Sequence, residues 1–313
     1  MSAPAGMKAI IAAAIANLII ALSKLGAWVL TGSSAMLAEA VHSFADTSNQ
    51  FLLILGTKQA KKQANETHQF GFGRSRYLAA FIVSIVLFTL GGLFALYEAY
   101  HKFSQPKPIT SWHWVPVLVL VVAIIAESFS LKTALEEAHE ARGEQSLWMY
   151  IRSSRAPEIP VVLLEDVAAL LGLVFALGGV GATLATGDGR WDAVGSAAIG
   201  VLLVVVAAFL AQETTSLLMG ESVMPLTQAG VRHALVGASI KAVMDLRTMH
   251  VGPDEVLIAA KVDIDPDAHG TDIAQSINAA EERVRALMPQ YTCFIFIEPD
   301  LSQVSGISET EVN

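Results

Sequence analysis

The sequence predicts a helical membrane protein, with six transmembrane helices followed by a small α+β domain that sits in water. Three observations carry this. Of the 313 residues, 53% are hydrophobic and only 16% are charged. The apolar residues gather into six segments, each near the ~20 residues that a ~30 Å hydrocarbon core requires. After Gly220 the composition turns to that of an ordinary soluble chain rich in acids. The expected division is 1–220 for the membrane domain, 221–300 for the α+β domain and 301–313 for a flexible tail.

The first segment, 7–30, begins near Lys8 and could open a signal peptide, but it runs long and lacks a clear cleavage site, so a first span is expected. A Thr31-Gly32-Ser33-Ser34 turn joins it to 34–56, which forces an antiparallel hairpin. The third segment, 77–101, contains Gly91 and Gly92, where close helix packing and simple tolerance of glycine both fit. The fourth, 113–136, starts near Trp114 and runs into the charged stretch from Lys132 to Arg142, which must emerge into water. Pro157 and Pro160 open the fifth, 160–184, where helix-starting prolines are tolerated. Gly187-Asp188-Gly189 then turns the chain into the sixth, 191–218, with Asp192 as a favourable charge in its own first turn. Beyond Gly220, residues 225–236 read as a helix, and 242–251 and 256–264 as strands around Gly252-Pro253-Asp254. Thr271 can cap a helix reaching Met288, and 291–297 is a third strand. That order suits a three-stranded sheet covered on one face by helices.

The net charge of −9 argues against a nucleic-acid partner and fits a domain that meets cations. Cys293, the single cysteine, excludes an internal disulfide and a cysteine-based zinc site; amid Phe294, Ile295 and Phe296 it reads as a small core residue. Positive charge sets the orientation. Lys58, Lys61, Lys62, Arg74 and Arg76 follow the second segment, and Arg142, Arg152 and Arg155 follow the fourth, whereas the opposite loops carry Lys102, Lys107 and Arg190. The richer loops, and with them both termini, are expected on the cytoplasmic side.

The second segment holds Glu39, His42 and Asp46. A charge in hydrocarbon costs roughly 3 kcal/mol or more, so these residues need a purpose or a partner. Their i, i+3, i+7 spacing places them on one helix face, which Asn49 extends. An imidazole and a carboxylate one turn apart can reach a single cation; a polar seam between helices is the plainer reading. The fifth segment adds Glu165 and Asp166, which diverge by about 100° around a helix, so at most one of them is expected to ligate directly. Glu127, flanked by Ser128 and Ser130, joins the site or faces water at a helix end. His42, Asp46 and Asp166 together offer one nitrogen and two oxygens, a set suited to Zn²⁺ and acceptable to Co²⁺, Fe²⁺ or Mn²⁺. Three ligands leave a place for water, Glu39 or Glu165, and incomplete coordination suits an ion that must leave again. An intramembrane metal-dependent hydrolase and a passive cation channel are the rival readings.

The run 34–46 with its His-x-x-x-Asp, the loop His68-Gln69-Phe70-Gly71-Phe72-Gly73-Arg74, the six-helix profile and Asp245-Leu246-Arg247-Thr248 together resemble the cation diffusion facilitator family over nearly the whole chain. The resemblance implies a transporter rather than an enzyme. It would be a homodimer in a bacterial-type inner membrane, moving a divalent cation, typically Zn²⁺, out of the cytoplasm in exchange for protons. It also implies that the cytoplasmic domain is metallochaperone-like, with a ferredoxin-like fold, and mediates dimerisation. Carried over by position, the family's transport ligands fall on His42, Asp46 and Asp166, while its usual fifth-helix histidine falls on Val162. That departure resembles the mitochondrial-type branch, with Glu165-Asp166 as the distinctive pair. In the loop His68 matches one ligand, but Asn65 and Phe72 stand where others would. The family's C-terminal metal positions fall on Met244, Lys261, Phe296 and Glu298, which implies no binuclear zinc cluster there; His250 and His269 are expected at the surface.

Overall fold

The computed structural model describes residues 18–106 and 112–301. Residues 7–17 of the first expected span, with Lys8, as well as Lys107 and the tail from residue 302, lie outside the described residues. The chain divides into two compact units. One comprises the described residues of Met1–Lys61 and Ser75–Thr215, the other those of Lys62–Arg74 and Ser216–Asn313. Residues 62–74, counted with the helical part in the sequence division, pack with the second unit.

The first unit is helical. Its elements are α1 (Leu18–Thr31), α2 (Ser34–Ala60), α3 (Ser75–Ser104), α4 (Trp114–Arg142), the short α5 (Leu147–Ser153), α6 (Glu158–Thr186) and α7 (Arg190–Met219). Of these, α3, α4, α6 and α7 are long and apolar enough to cross a membrane. The protein is a multi-pass membrane protein. α2 has spanning length, but Glu39, His42 and Asp46 interrupt its apolar run. Local chemistry explains most boundaries. Ser33 caps α2, its hydroxyl accepting from Met36 N at 3.3 Å. Gly187 ends α6 at φ +75°, a conformation that a residue with a Cβ adopts only under strain. α5 falls in the loop where only arginines stood out; Ser146 caps it, and Tyr150 packs with Ala134 and Ala138 of α4 and Leu163 of α6.

Inside α3, residues Leu87–Leu93 wind as a π-helix. Within this stretch Gly92 lies against α7: a Cβ there would stand 2.6 Å from Val204 Cγ2 and 3.2 Å from Val204 N. Glycine is therefore serving close helix approach here, the first of the two readings of Gly91-Gly92. The common core draws on every long helix, with Ala27, Met36, Leu87, Leu120, Leu173 and Leu203 among its buried residues.

The second unit contains α8 (Pro225–Leu235), β1 (Ile240–Gly252), β2 (Glu255–Ile264), α9 (Gly270–Leu287) and β3 (Thr292–Asp300). The sheet order is β1-β2-β3, with β1 antiparallel to β2 and β2 parallel to β3, so the sheet is mixed. Along β2, Val256, Ile258, Ala260 and Val262 alternate inward and meet Val231 and Leu235 of α8 and Ala280 and Val284 of α9. α9 starts one residue ahead of the expected Thr271 cap, and the Asp272 carboxylate accepts from His269 N at 3.4 Å instead. His250, expected at the surface, is buried edge-on against Tyr291 at 5.4 Å between ring centroids. His269 is exposed.

Candidate metal centre

α2 brings the first group of polar residues. His42 is 1% exposed, and neither ring nitrogen has a hydrogen-bond partner. Its Nδ1 stands 3.5 Å from Asp46 Oδ1, one turn on, as the i, i+4 spacing dictates. A buried imidazole ordinarily finds a donor or acceptor, so this one is conspicuous for lacking both.

Asp46 borders a cleft whose other walls are Ile20 of α1, Ser43 and Gln50 of α2, Glu127 of α4, and Val162, Glu165 and Asp166 of α6. Four carboxylates from three helices therefore face one small space. Asp46 and Asp166, the two oxygen donors singled out by sequence, share it. His42 does not line the cleft and reaches it only through Asp46. The acids are partly engaged. Asn49 Nδ2 donates to Glu165 Oε1 at 2.6 Å, and Ser130 Oγ donates to Asp166 Oδ2 at 2.9 Å. Both adjacent α6 acids border the cleft, each held by a neutral donor from a different helix. Among the described residues, no group of three His, Cys, Asp or Glu side chains already stands in ligand position for one ion. Each of these bonds engages one carboxylate oxygen, which leaves the other able to meet an ion.

The remaining candidates lie elsewhere. Glu39 is fully buried and does not border the cleft; its Oε2 accepts from Lys24 Nζ of α1 at 3.0 Å. His68 is exposed on residues 62–74 of the second unit, tilted against Phe72 at 4.4 Å between centroids. That loop packs through Phe70, edge-on to Phe294 at 5.3 Å, and through Gly73, where a Cβ would stand 2.8 Å from Gly252 Cα. In the sheet, Lys261 pairs with Asp300 at 2.8 Å and Glu298 at 3.7 Å.

Two functional-looking residues, Lys24 and Gln50, escaped sequence reasoning, and Asp192 carries a role beyond the one it showed. Lys24 lies in the expected first span, where the rule that drew attention to Glu39 applies equally. Gln50 borders the cleft but, as a neutral residue, carried no signal. Asp192 is fully buried in the first turn of α7, as expected, and also serves a second helix: Ser33 Oγ (2.6 Å), Ser34 N (2.7 Å) and Ser34 Oγ (3.1 Å) donate to it, so it caps α2.

A model of the cation efflux transmembrane domain matches residues 10–219. The chain belongs to the cation diffusion facilitator family. Within that family it is similar to the mitochondrial-type branch. It is 36% identical over 245 residues to the proton-coupled zinc antiporter SLC30A9, mitochondrial, of Xenopus laevis, covering 77% of this chain and 44% of that protein. It is 34% identical over 243 residues to the Homo sapiens protein of the same name, covering 76% and 42%. Metal tolerance protein C4 of Arabidopsis thaliana is 26% identical over 250 residues, covering 79% and 54%. This cation diffusion facilitator thus spans less than half the length of the two SLC30A9 proteins. Val162 borders the cleft and brings an apolar side chain to it.

Proposed function

We propose that the protein is a secondary active transporter that moves a divalent cation, Zn²⁺ foremost, out of the cytoplasm in exchange for protons. The observation that carries this reading is the unpartnered, buried His42 beside Asp46, at a cleft where Asp46, Glu127, Glu165 and Asp166 converge. The names of the SLC30A9 relatives, proton-coupled zinc antiporters, support both the ion and the exchange. His42, Asp46 and Asp166 are the proposed ligands, with Glu127 or Glu165 completing the sphere; Mn²⁺, Fe²⁺ and Co²⁺ are accepted less well.

Metal ligands coordinate in their deprotonated form, so an arriving cation displaces whatever protons the site holds. If the cleft opens to one side at a time, that competition couples metal leaving the cytoplasm to protons entering it. In this reading the helical unit crosses the membrane six times, with α1 and α2 as the first two spans. Both termini lie on the cytoplasmic side of a bacterial-type inner membrane, and residues 221–300 form the cytoplasmic domain through which two copies dimerise.

The test is Zn²⁺ uptake into proteoliposomes under an imposed pH gradient. Asp46→Ala and Asp166→Ala are expected to abolish uptake while the protein still elutes as a folded species. Wild-type uptake by Asp166→Ala overturns the assignment. Flux indifferent to the proton gradient would instead make the protein a channel, and turnover of a cleavable substrate without flux would make it a hydrolase.

A further inference from the structure

Lys24 and Glu39 are both fully buried. Lys24 Nζ donates to Glu39 Oε2 at 3.0 Å and to Ser43 Oγ at 2.7 Å. Ser43 borders the cleft and Glu39 does not, so the ammonium sits between the carboxylate and the candidate site. The other carboxylate oxygen, Glu39 Oε1, has no hydrogen-bond partner. It occupies a slot on α6 that exists because residue 172 is glycine: a Cβ there would stand 2.8 Å from Glu39 Oε1. Three helices thus cooperate to hold one carboxylate away from its neighbours on the α2 stripe.

Stability does not account for this arrangement. Moving two charges out of water costs several kcal/mol per ion, and well-packed apolar residues would serve as well or better. Nor does the pair act as a bare seam, since Ser, Thr or Asn would join helices at lower cost. Its effect on the cleft is specific. Glu39 lies on the same helix face as His42 and Asp46, and the Lys24 ammonium bridges its carboxylate to Ser43, one turn on, which borders the cleft. Oxygen-seeking ions such as Mn²⁺ gather many charged or carbonyl oxygens, whereas Zn²⁺ is satisfied by about four ligands that include nitrogen.

We propose that Lys24 is a specificity-determining residue: a tethered ammonium that clamps Glu39 and so limits the number of carboxylate oxygens the transported cation can gather. The inference rests on the transport reading and deepens it. Lys24 touches no cation; it acts through Glu39. Removing its charge releases Glu39 toward the cleft and favours Mn²⁺ over Zn²⁺ relative to wild type.

The experiment is titration calorimetry of the purified full chain in detergent with Zn²⁺ and with Mn²⁺, for wild type, Lys24→Gln, and Lys24→Gln with Glu39→Gln. For Lys24→Gln the Mn²⁺ dissociation constant is expected to fall about tenfold, narrowing the Zn²⁺ preference, a change of the size that outer-shell substitutions produce. The double variant, which lacks both charges, is expected to regain the wild-type preference. A merely structural role predicts a lower melting temperature with the preference unchanged. An unchanged preference in Lys24→Gln overturns the proposal, and so does an equal narrowing in the double variant. Should Lys24→Gln fail to fold, Lys24→Met, which keeps the apolar stem and removes the ammonium, carries the test, and an unchanged preference there overturns the proposal. Wild-type binding lost in Asp46→Ala and Asp166→Ala, with a preference that ignores Lys24, overturns this inference alone. Binding that survives both alanine variants overturns the transport reading and this inference with it.

Discussion

Replacing Asp192 by alanine tests how the site helix is anchored. The carboxylate accepts from Ser33 Oγ, Ser34 N, Ser34 Oγ and, at 3.4 Å, Ala35 N, and lies 3.9 Å from Lys102 Nζ. All of this is buried. The individual bonds do not add, so the deletion is better judged as removal of one partner from a buried ionic network, about 3–5 kcal/mol. Lys102 retains Gly32 O as an acceptor at 2.7 Å, which places the cost toward the lower end of that range. Asp192→Asn keeps one acceptor oxygen and the shape, and is expected to cost about 1–3 kcal/mol, the range for an unsatisfied buried group. The assay is equilibrium unfolding in mixed detergent micelles, following tryptophan fluorescence. Asp46 lies about 18 Å along α2 from its first residue, Ser34, at ~1.5 Å per residue, so metal affinity in Asp192→Ala is expected to change by less than about threefold. Loss of less than about 0.5 kcal/mol, the scatter of surface substitutions, would refute the capping argument.

Arg76 on α3 grips Glu158 on α6 through Nε to Oε1 and Nη2 to Oε2, the second at 2.8 Å. With both side chains about four-fifths buried, a double-mutant cycle of Arg76→Leu and Glu158→Gln is expected to give a coupling of about 1–3 kcal/mol in the same unfolding assay. In the second unit, partial burial and the neighbouring Asp254 push the Glu255 carboxyl above its usual range, and its Oε2 has no hydrogen-bond partner. A carboxyl raised in the folded state contributes stability that is present at low pH and lost as pH climbs through the raised value. Hydrogen-exchange protection of residues 62–74 and 249–257 is therefore expected to fall as pH rises above the ordinary carboxylate range. Glu255→Gln is expected to flatten that slope.

Elements governed by their own neighbours were legible without coordinates. Gly252-Pro253-Asp254 reads as a turn because Pro and Gly restrict the chain locally, and β1 and β2 meet around it. The α2 stripe reads as one face because helical periodicity places residues four apart together, and His42 and Asp46 do stand 3.5 Å apart. α5 was invisible because seven residues are too few to show a period. The loop 62–74 showed its motif but not its company: nothing in Gly71-Phe72-Gly73 says that Gly73 lies against Gly252.

By itself, then, the sequence determined that apolar helices cross a bilayer, that a mixed helix-and-strand domain follows, and that acids on two helices are out of place in hydrocarbon. Tertiary structure alone decided which buried charges meet. Lys24 finds Glu39 rather than Asp46, Asp192 in the first turn of α7 also caps α2, and Val162 borders the cleft. The reason is physical. Hydrophobic and backbone preferences act over three or four residues, whereas a buried ion pair is settled by which side chains remain close once the helices have packed, here 15 and 158 positions apart in the chain.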